Sequence, residues 1–197
     1  MLPFLVSGQS SMPETTLPIN WVRSGTDLAS YTMGISNQNS HSGNQSVFIK
    51  SLQLATNEEY GTLATTVKPG KYRGKKIKYS AWLKTEEADS ACLWMRIDSP
   101  KGITLNFDNM RCRGVHGTTD WHNNSIILYV PDSACQISYG FYILGKGAAW
   151  MDDVEFDIAP DSMALTDLIK GDFSCRIPGF KPSQNTKKEP YDTGFEN

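Results

Sequence analysis

The chain has 197 residues, a formal net charge of −2 and a pI near 5.9, and 39% of its residues are hydrophobic. This length suits one domain with short additions, and the apolar content is too high for a chain that is disordered throughout. The slightly acidic balance argues against a nucleic-acid or anionic-membrane partner, which calls for a basic surface. Five Trp, eight Tyr and eight Phe stand against three His, so flat apolar surfaces are plentiful and candidate catalytic bases are few.

Short strands dominate the predicted elements. Residues 1–17 form an extended, weakly ordered leader in which prolines are separated by Ser and Thr. Residues 18–159 follow as a module whose apolar and polar side chains alternate, which is typical of half-buried strands. Its predicted strands cover residues 46–51, 61–67, 75–84, 91–98, 125–130, 136–144 and 149–157. Turn residues between them and the near absence of helical periodicity predict an all-β fold, an antiparallel β-sandwich of the jelly-roll type.

The alternating strand pattern ends at residue 159. Residues 160–180 are a packing segment that contains a short predicted C-terminal helix over 162–170, with Asp161 or Ser162 as its N-cap and Gly171 at its end. Residues 181–197 are polar and form a linker or tail.

No motif for catalysis is present. The chain lacks GxSxG, HExxH, a P-loop and GxGxxG. The histidines fall in predicted loops, and a triad assembled across the fold remains an alternative because triads are spatial rather than sequential. The four cysteines form no CxxC pair, which argues against a common zinc spacing and favours unpaired structural thiols. No catalytic residue is therefore predicted.

The polar side of two predicted strands offers a ligand platform. Alternation places Trp82 on one strand, and Trp94 and Arg96 on the next, opposite the core-facing residues. Aromatic rings can stack on the C–H groups of a sugar, and polar side chains can bind its hydroxyls. The alternative is that a covering loop or the C-terminal helix buries these side chains.

The loop Phe107–Arg113 is a second candidate, because it concentrates short polar side chains and two arginines. We expect Asp108, Asn109 and Arg113 to form one wall of a ligand site. The alternative is structural, since Asp and Asn fold tight loops by bonding their own backbone and an arginine can pair with the nearby aspartate.

A calcium site is the only candidate for a cofactor. Asp152 and Asp153 supply carboxylate oxygens, and backbone carbonyls from the Ser42–Asn44 turn, or from Ser46, can complete the site. Calcium prefers such hard ligands. The alternative is that one aspartate binds a backbone N–H while the other is solvated.

Several segments in order resemble a known family. They are His41–Ser46, Tyr72–Lys75, Tyr79–Thr85, Leu93–Asp98, the FDNM and GTTDW sequences, and Trp150–Val154. Together they resemble a bacterial galactose-binding-like jelly-roll module of the carbohydrate-binding-module type, similar to accessory domains attached to AraC-type regulators and S41-type peptidases. Gly194–Glu196 is similar to the opening of a further module of this kind.

The resemblance implies a non-catalytic ligand-binding or accessory module. Its expected partner is a carbohydrate or another small polar ligand, with a neighbouring domain as a further partner, and neither nucleic acid nor membrane is expected. The alternatives are a structural or interaction domain that packs against a partner domain of a larger protein, and a hydrolase whose triad is not visible in the sequence. A secreted or periplasmic location is favoured over a cytoplasmic one.

Overall fold

Nine strands make up most of the computed structural model, which describes residues 15–52 and 55–167. All of the pairings between them are antiparallel. Three short 3-10 turns, Leu28–Ser30, Gly70–Tyr72 and Arg111–Arg113, lie between strands. The strands are β1 Val22–Gly25, β2 Tyr31–Ser36, β3 Ser46–Ser51, β4 Tyr60–Val67, β5 Lys75–Asp98, β6 Thr104–Asp108, β7 Val115–Val130, β8 Gln136–Leu144 and β9 Ala148–Ile158.

Strand β5 is 24 residues long and belongs to both layers of the fold. Its first half, residues 75–86, pairs with β9 and β7, and β9 continues to β3 and β2. Its second half, residues 90–98, pairs with β8 and β6, and β8 continues to β4 and β1. Seven strands are hydrogen-bonded in the order β1-β4-β8-β5-β9-β3-β2, and β6 and β7 pair with β5 beside this path. The strands fold into two layers, which confirms the predicted antiparallel sandwich.

Aromatic rings from both layers meet in the core. The ring of Tyr79 on β5 lies 5.2 Å from that of Tyr139 on β8, and Tyr139 lies 4.5 Å from Phe156 on β9. The Tyr79 hydroxyl donates to the Gly140 carbonyl at 3.1 Å. Full burial of each large apolar side chain stabilises the fold by about 1.5–3 kcal/mol. The alternation of the sequence identified Tyr79, Tyr139 and Phe141 correctly as core residues.

The predicted C-terminal helix is wrong over residues 162–167, where the chain is not helical, and residues 168–170 lie outside the described part of the chain. The backbone N–H of Thr166 donates to the Ile127 carbonyl at 2.9 Å, and the Ile127 N–H donates to the Thr166 hydroxyl at 3.0 Å. The side chain of Asp167 accepts from the N–H of Phe107 at 3.2 Å. These bonds to the edge strand β7 and to β6 replace the bonds within a helix, because tertiary partners override a weak local propensity.

Two cysteines, Cys92 and Cys135, are free thiols. Cys112 is disulfide-bonded, so the expectation of unpaired cysteines is wrong at that position. Cys175 lies outside the described residues. Within residues 15–52 and 55–167, the structure contains no helix with the length and apolar character needed to span a membrane.

The close approach of β4 and β8 predicts that Gly140→Ala destabilises the protein. A Cβ at Gly140 would lie 2.0 Å from the Leu63 carbonyl oxygen and 2.9 Å from the Ala64 Cα, and neither backbone atom can move without opening the sheet. We expect a loss of about 3 kcal/mol in the free energy of unfolding, measured by urea denaturation. The control is Gly102→Ala, at a φ of +73° in open space, which should lose only about 1 kcal/mol through backbone strain. Equal losses in the two variants would contradict this packing.

Candidate ligand-binding face

Four partly exposed aromatic side chains lie on the outer side of the layer formed by β2, β3, β9, β5 and β7. The residues on either side of Phe48 on β3 and of Trp150 on β9 are buried in the core, so both rings point outward. Phe48 and Trp150 are register partners. Four neighbouring strands separated by about 4.8 Å span about 14 Å. We call this set the aromatic row: Phe48 on β3, Trp150 on β9, Trp82 on β5 and Trp121 on β7.

An ion pair lies among these rings. Lys84 is the register partner of Trp150, and its Nζ lies 3.5 Å from Oδ1 of Asp120. The backbone N–H of Trp121 donates to the same oxygen at 2.9 Å. This N–H and the Lys84 ammonium hold the pKa of Asp120 below its usual range. The row therefore has an ammonium and a carboxylate beside its apolar rings.

The ring of Trp82 is covered by a histidine. His41 stacks on Trp82 with ring centroids 3.8 Å apart and an interplanar angle of 14°. The same imidazole lies 5.9 Å from the Trp121 ring at an angle of 64°. Trp82 is therefore not an open platform, and a covering loop is found there, as in the alternative interpretation of the sequence. Trp121, His41 and Trp82 form one aromatic cluster at this end of the row.

A bulge in β9 anchors the histidine loop. The register of β9 on β5 shifts near Asp152 and Asp153, and Asp153 has a left-handed φ of 47°. Asp152 Oδ2 accepts from the backbone N–H groups of His41 at 2.7 Å and Ser42 at 3.2 Å. Asp153 Oδ2 lies 2.6 Å from the His41 Nδ1, and its Oδ1 accepts from the Ser42 hydroxyl at 2.5 Å. The two aspartates thus hold both the backbone and the ring of His41.

Burial raises the pKa of Asp152, and the N–H groups that it accepts act in the opposite direction. A carboxyl group whose pKa is higher in the folded than in the unfolded chain binds its proton more tightly when folded. Its contribution to stability therefore falls as pH rises from the unfolded to the folded pKa.

The predicted calcium ligands are engaged in hydrogen bonds within the protein. The carboxylate oxygens of Asp152 and Asp153 contact the N–H groups of His41, Ser42 and Asp153, the Ser42 hydroxyl and the His41 Nδ1. The hydroxyl of Ser46 donates to the carbonyl of Asn39 at 2.5 Å. No group of three His, Cys, Asp or Glu side chains suited to a metal occurs in residues 15–52 and 55–167.

Trp94 and Arg96 belong to the other layer, so their prediction as an exposed platform beside Trp82 is wrong. Trp94 is 1% exposed, and its Nε1 donates to the Thr62 hydroxyl at 2.9 Å. The Arg96 Nε donates to the Asp98 carboxylate at 2.9 Å, with both side chains buried. Every residue of 91–98 is buried, because both faces of this half of β5 are covered. Alternation identifies the side of a strand but does not show whether that side reaches solvent.

The predicted loop residues bind the protein's own groups. Asp108 is fully buried, pairs with the Arg113 guanidinium and accepts from the Met110 N–H at 2.8 Å. Asn109 is also fully buried, and its side-chain oxygen accepts from the Arg111 N–H at 3.2 Å. Arg113 donates further to the Ser125 carbonyl at 3.0 Å. These bonds match the structural alternative, and they do not bring Asp108, Asn109 or Arg113 to the aromatic row.

Sequence reasoning missed Phe48, Trp121 and Trp150 as exposed rings. A signal was present for Trp150, because alternation within the predicted strand 149–157 places it opposite its core-facing neighbours. Trp121, which the sequence analysis uses only as part of the GTTDW sequence, is half-buried on the outer side. The stack of His41 on Trp82 depends on a bulge and a loop far apart in sequence, so no local pattern predicts it.

The hydrolase alternative requires a histidine beside a nucleophile. The Nδ1 of His122 lies 3.0 Å from the Asp120 carbonyl, and the Nδ1 of His116 contacts the Asp89 carbonyl. In the part of the chain that the structure describes, neither ring contacts a hydroxyl or a thiol through a hydrogen bond. The Nδ1 of His41 faces the carboxylate of Asp153.

The stacking geometry predicts a fluorescence change in His41→Ala. Removing the imidazole uncovers one face of Trp82, so we expect a red-shifted and altered tryptophan emission and a loss of about 1 kcal/mol in stability. Replacement of the exposed His116 by Ala is the matched control and should leave the emission unchanged. Identical spectra for wild type and His41→Ala would show that the two rings are not stacked in solution.

No protein-family model matches the chain. It is 38% identical over 149 residues to the uncharacterised HTH-type transcriptional regulator YbfP of Bacillus subtilis (strain 168). That match covers 75% of this chain and 50% of the regulator, so the chain spans about half the length of this curated relative.

Similar solved structures include carbohydrate-binding modules. The CBM22-1 xylan-binding domain of Paenibacillus barcinonensis Xyn10C has a TM-score of 0.54 at 11% identity, over 76% of this chain and 92% of that domain. TmCBM61, solved with β-1,4-galactotriose, has a TM-score of 0.50 at 15% identity, over 73% and 91%. The enzymatically active domain of bacteriophage CBA120 tailspike protein 4 has a TM-score of 0.57 at 14% identity, over 72% of this chain and only 20% of its own length. At these identities the likeness shows the fold, which is the β-sandwich of carbohydrate-binding modules.

Proposed function

We propose that this chain is a carbohydrate-binding module that binds its ligand on the aromatic row. The observation that carries the proposal is the presence of Phe48, Trp150 and Trp121 as partly exposed rings on one side of one layer. Isolated apolar side chains on a surface need no explanation, but a contiguous aromatic strip marks a binding site. The likeness in fold to xylan-binding and galactotriose-bound modules supports a saccharide as the ligand.

The chemistry of the row suits a sugar. The flat rings offer apolar surfaces to the C–H groups of a pyranose, and Trp and Tyr rings favour such contacts at little entropic cost. Lys84 and Asp120 supply one donor and one acceptor beside Trp150 and Trp121. The amide of Asn123, exposed on β7 and in register with Trp82, adds both kinds of group. The hydroxyls of a bound sugar can therefore both donate hydrogen bonds to this face and accept hydrogen bonds from it.

The shape of the row favours a chain of sugars over a monosaccharide. The rings are distributed over four strands and about 14 Å, at right angles to the strand direction. A row of this length offers stacking surfaces to more than one sugar ring. Xylo-oligosaccharides and β-1,4-galacto-oligosaccharides are the first ligands to test, because the structural neighbours bind these two classes.

A second candidate function follows from the regulator. The chain corresponds to about half of an HTH-type transcriptional regulator, at 38% identity. In a protein of that type, the module would act as a sensor or accessory domain beside the DNA-binding region, as the resemblance to AraC-type regulators and S41-type peptidases implies. The two functions are compatible, because a sensor domain can use the same face to bind a saccharide.

An interaction domain is the remaining alternative. A partner domain packed on the aromatic row would also cover Trp121 and Trp150. In that case oligosaccharides should fail to bind the chain alone, and the row should be protected from solvent only in the longer protein.

The proposal predicts that Trp150→Ala weakens oligosaccharide binding. We expect the Kd, measured by isothermal titration calorimetry, to rise at least about tenfold because a central stacking surface is lost. Tyr129→Ala is the control, since Tyr129 is an exposed aromatic residue on the same strand as Trp121 but about 26 Å along it. Equal affinity of wild type and Trp150→Ala would place the ligand elsewhere.

A further inference from the structure

We propose that a cavity beside the aromatic row binds a neutral sugar branch of a substituted oligosaccharide. This branch site rests on the function proposed above, because its ligand is part of the same oligosaccharide. The cavity has a volume of about 510 Å³, and its lining includes Lys50 on β3, Glu86 on β5, and Gly147 and Ala148 where β9 begins. Small-molecule sites in proteins commonly have volumes of roughly 300–1,000 Å³. None of these residues belongs to the aromatic row.

The register of three strands places the cavity next to the row. Trp150 on β9 is paired with Lys84 on β5. Lys50, Ala148 and Glu86 form the next line of paired residues, two positions along β3, β9 and β5. Residues two positions apart on a strand project from the same face, and they are about 7 Å apart along it. The charged side chains therefore project on the same side of the layer as the rings of the row.

Two opposite charges flank this part of the face. Lys50 and Glu86 are separated by β9, so their backbones lie about 10 Å apart. Both residues are exposed, and the small side chain of Ala148 lies between them. Within residues 15–52 and 55–167, neither charged group is engaged in an ion pair or a side-chain hydrogen bond. An ammonium and a carboxylate are therefore available to a ligand on either side of a depression.

The turn between β8 and β9 forms one rim of the cavity and is held by backbone contacts. The Gly147 N–H donates to the Ser51 hydroxyl at 2.9 Å, and the Ser51 N–H donates to the Gly147 carbonyl at 2.8 Å. Gly147 has a φ of +104°, and a Cβ there would lie 2.4 Å from the Glu87 carbonyl oxygen. The Lys146 N–H donates to the Asp89 carboxylate at 2.8 Å. The rim is therefore fixed before any ligand binds.

The position of the cavity favours a branch over a main chain. An oligosaccharide stacked on the aromatic row runs across the strands, from β3 toward β7. The cavity lies to one side of that path, alongside Trp150, and not beyond either end of the row. A linear chain on the row passes the cavity, and a substituent that leaves the chain near Trp150 reaches into it.

The charges of the lining favour a neutral branch. Lys50 and Lys146 donate hydrogen bonds, and Glu86 and Glu87 accept them. The hydroxyls of a sugar do both, so they can use both kinds of group. Asp89 also lines the cavity, so an acidic sugar would meet three carboxylates against two ammonium groups. This excess of negative charge disfavours a uronic acid branch.

The test compares linear and branched probes by isothermal titration calorimetry on the full chain. The linear probes are xylotetraose and β-1,4-galactotetraose, and each is matched by a form that carries one neutral arabinofuranosyl branch. We expect a branched form to bind with a Kd about tenfold lower than that of its linear counterpart. Xylotetraose with a glucuronic acid branch should show no such gain.

Lys50→Ala and Glu86→Ala should each raise the Kd of the branched form toward that of the linear form, because hydrogen bonds to the branch are lost. Both variants should bind the linear form with wild-type affinity, which separates the cavity from the row. An unchanged thermal midpoint shows that they are folded. Lys101→Ala is the matched control and should keep the gain, because Lys101 is an exposed cation on a turn outside the cavity.

Equal Kd values for linear and branched probes, or a gain that survives in Lys50→Ala and Glu86→Ala, would overturn the branch site and leave the proposed function intact. A larger gain for the glucuronic acid branch would overturn the assignment of a neutral branch. Absence of binding by every probe would contradict the proposed function itself, and the branch site with it.

Discussion

The fold depends on the continuity of β5. One strand of 24 residues pairs with β9 and β7 in its first half and with β8 and β6 in its second half. A strand whose side chains simply alternate would present Trp82 and Trp94 to the same surface, since they are an even number of residues apart. Because β5 crosses from one layer to the other, Trp82 reaches the outer side of the first layer while Trp94 is buried in the second.

The candidate site depends on this crossing and on one irregularity in β9. The bulge at Asp152 and Asp153 interrupts the ladder beside Trp82 and turns two carboxylates toward the loop of His41. Bulges often re-aim side chains at functional sites. Here the bulge fixes an imidazole on Trp82 and leaves Trp150 and Phe48 uncovered by it. The aromatic row therefore has an uncovered part, Trp150 and Phe48, and a part, Trp82, that the His41 ring covers.

Much of the fold was predictable because it rests on local patterns. Alternation identified most of the strands, and it assigned Tyr79 and Tyr139 to the core correctly. The helix expected over 162–170 was wrong where the structure describes it, because Thr166 bonds to the free edge of β7 at Ile127, a partner that no local pattern reveals. The site was less predictable, because the exposure of Trp94 and Trp150 depends on whether segments distant in sequence cover them. The environment of Asp108 likewise depends on its pairing with Arg113.

The central claim is that a saccharide binds through the exposed tryptophans of the aromatic row. The most direct measurement is a titration of the 15N-labelled chain with xylo- and galacto-oligosaccharides, in which the five tryptophan indole N–H signals are followed by NMR. We expect saturable shifts for Trp150 and Trp121, with Trp94 and Trp21 unchanged because both are buried in the fold. Shifts confined to Trp94 or Trp21, or no shift with any oligosaccharide tested, would contradict it.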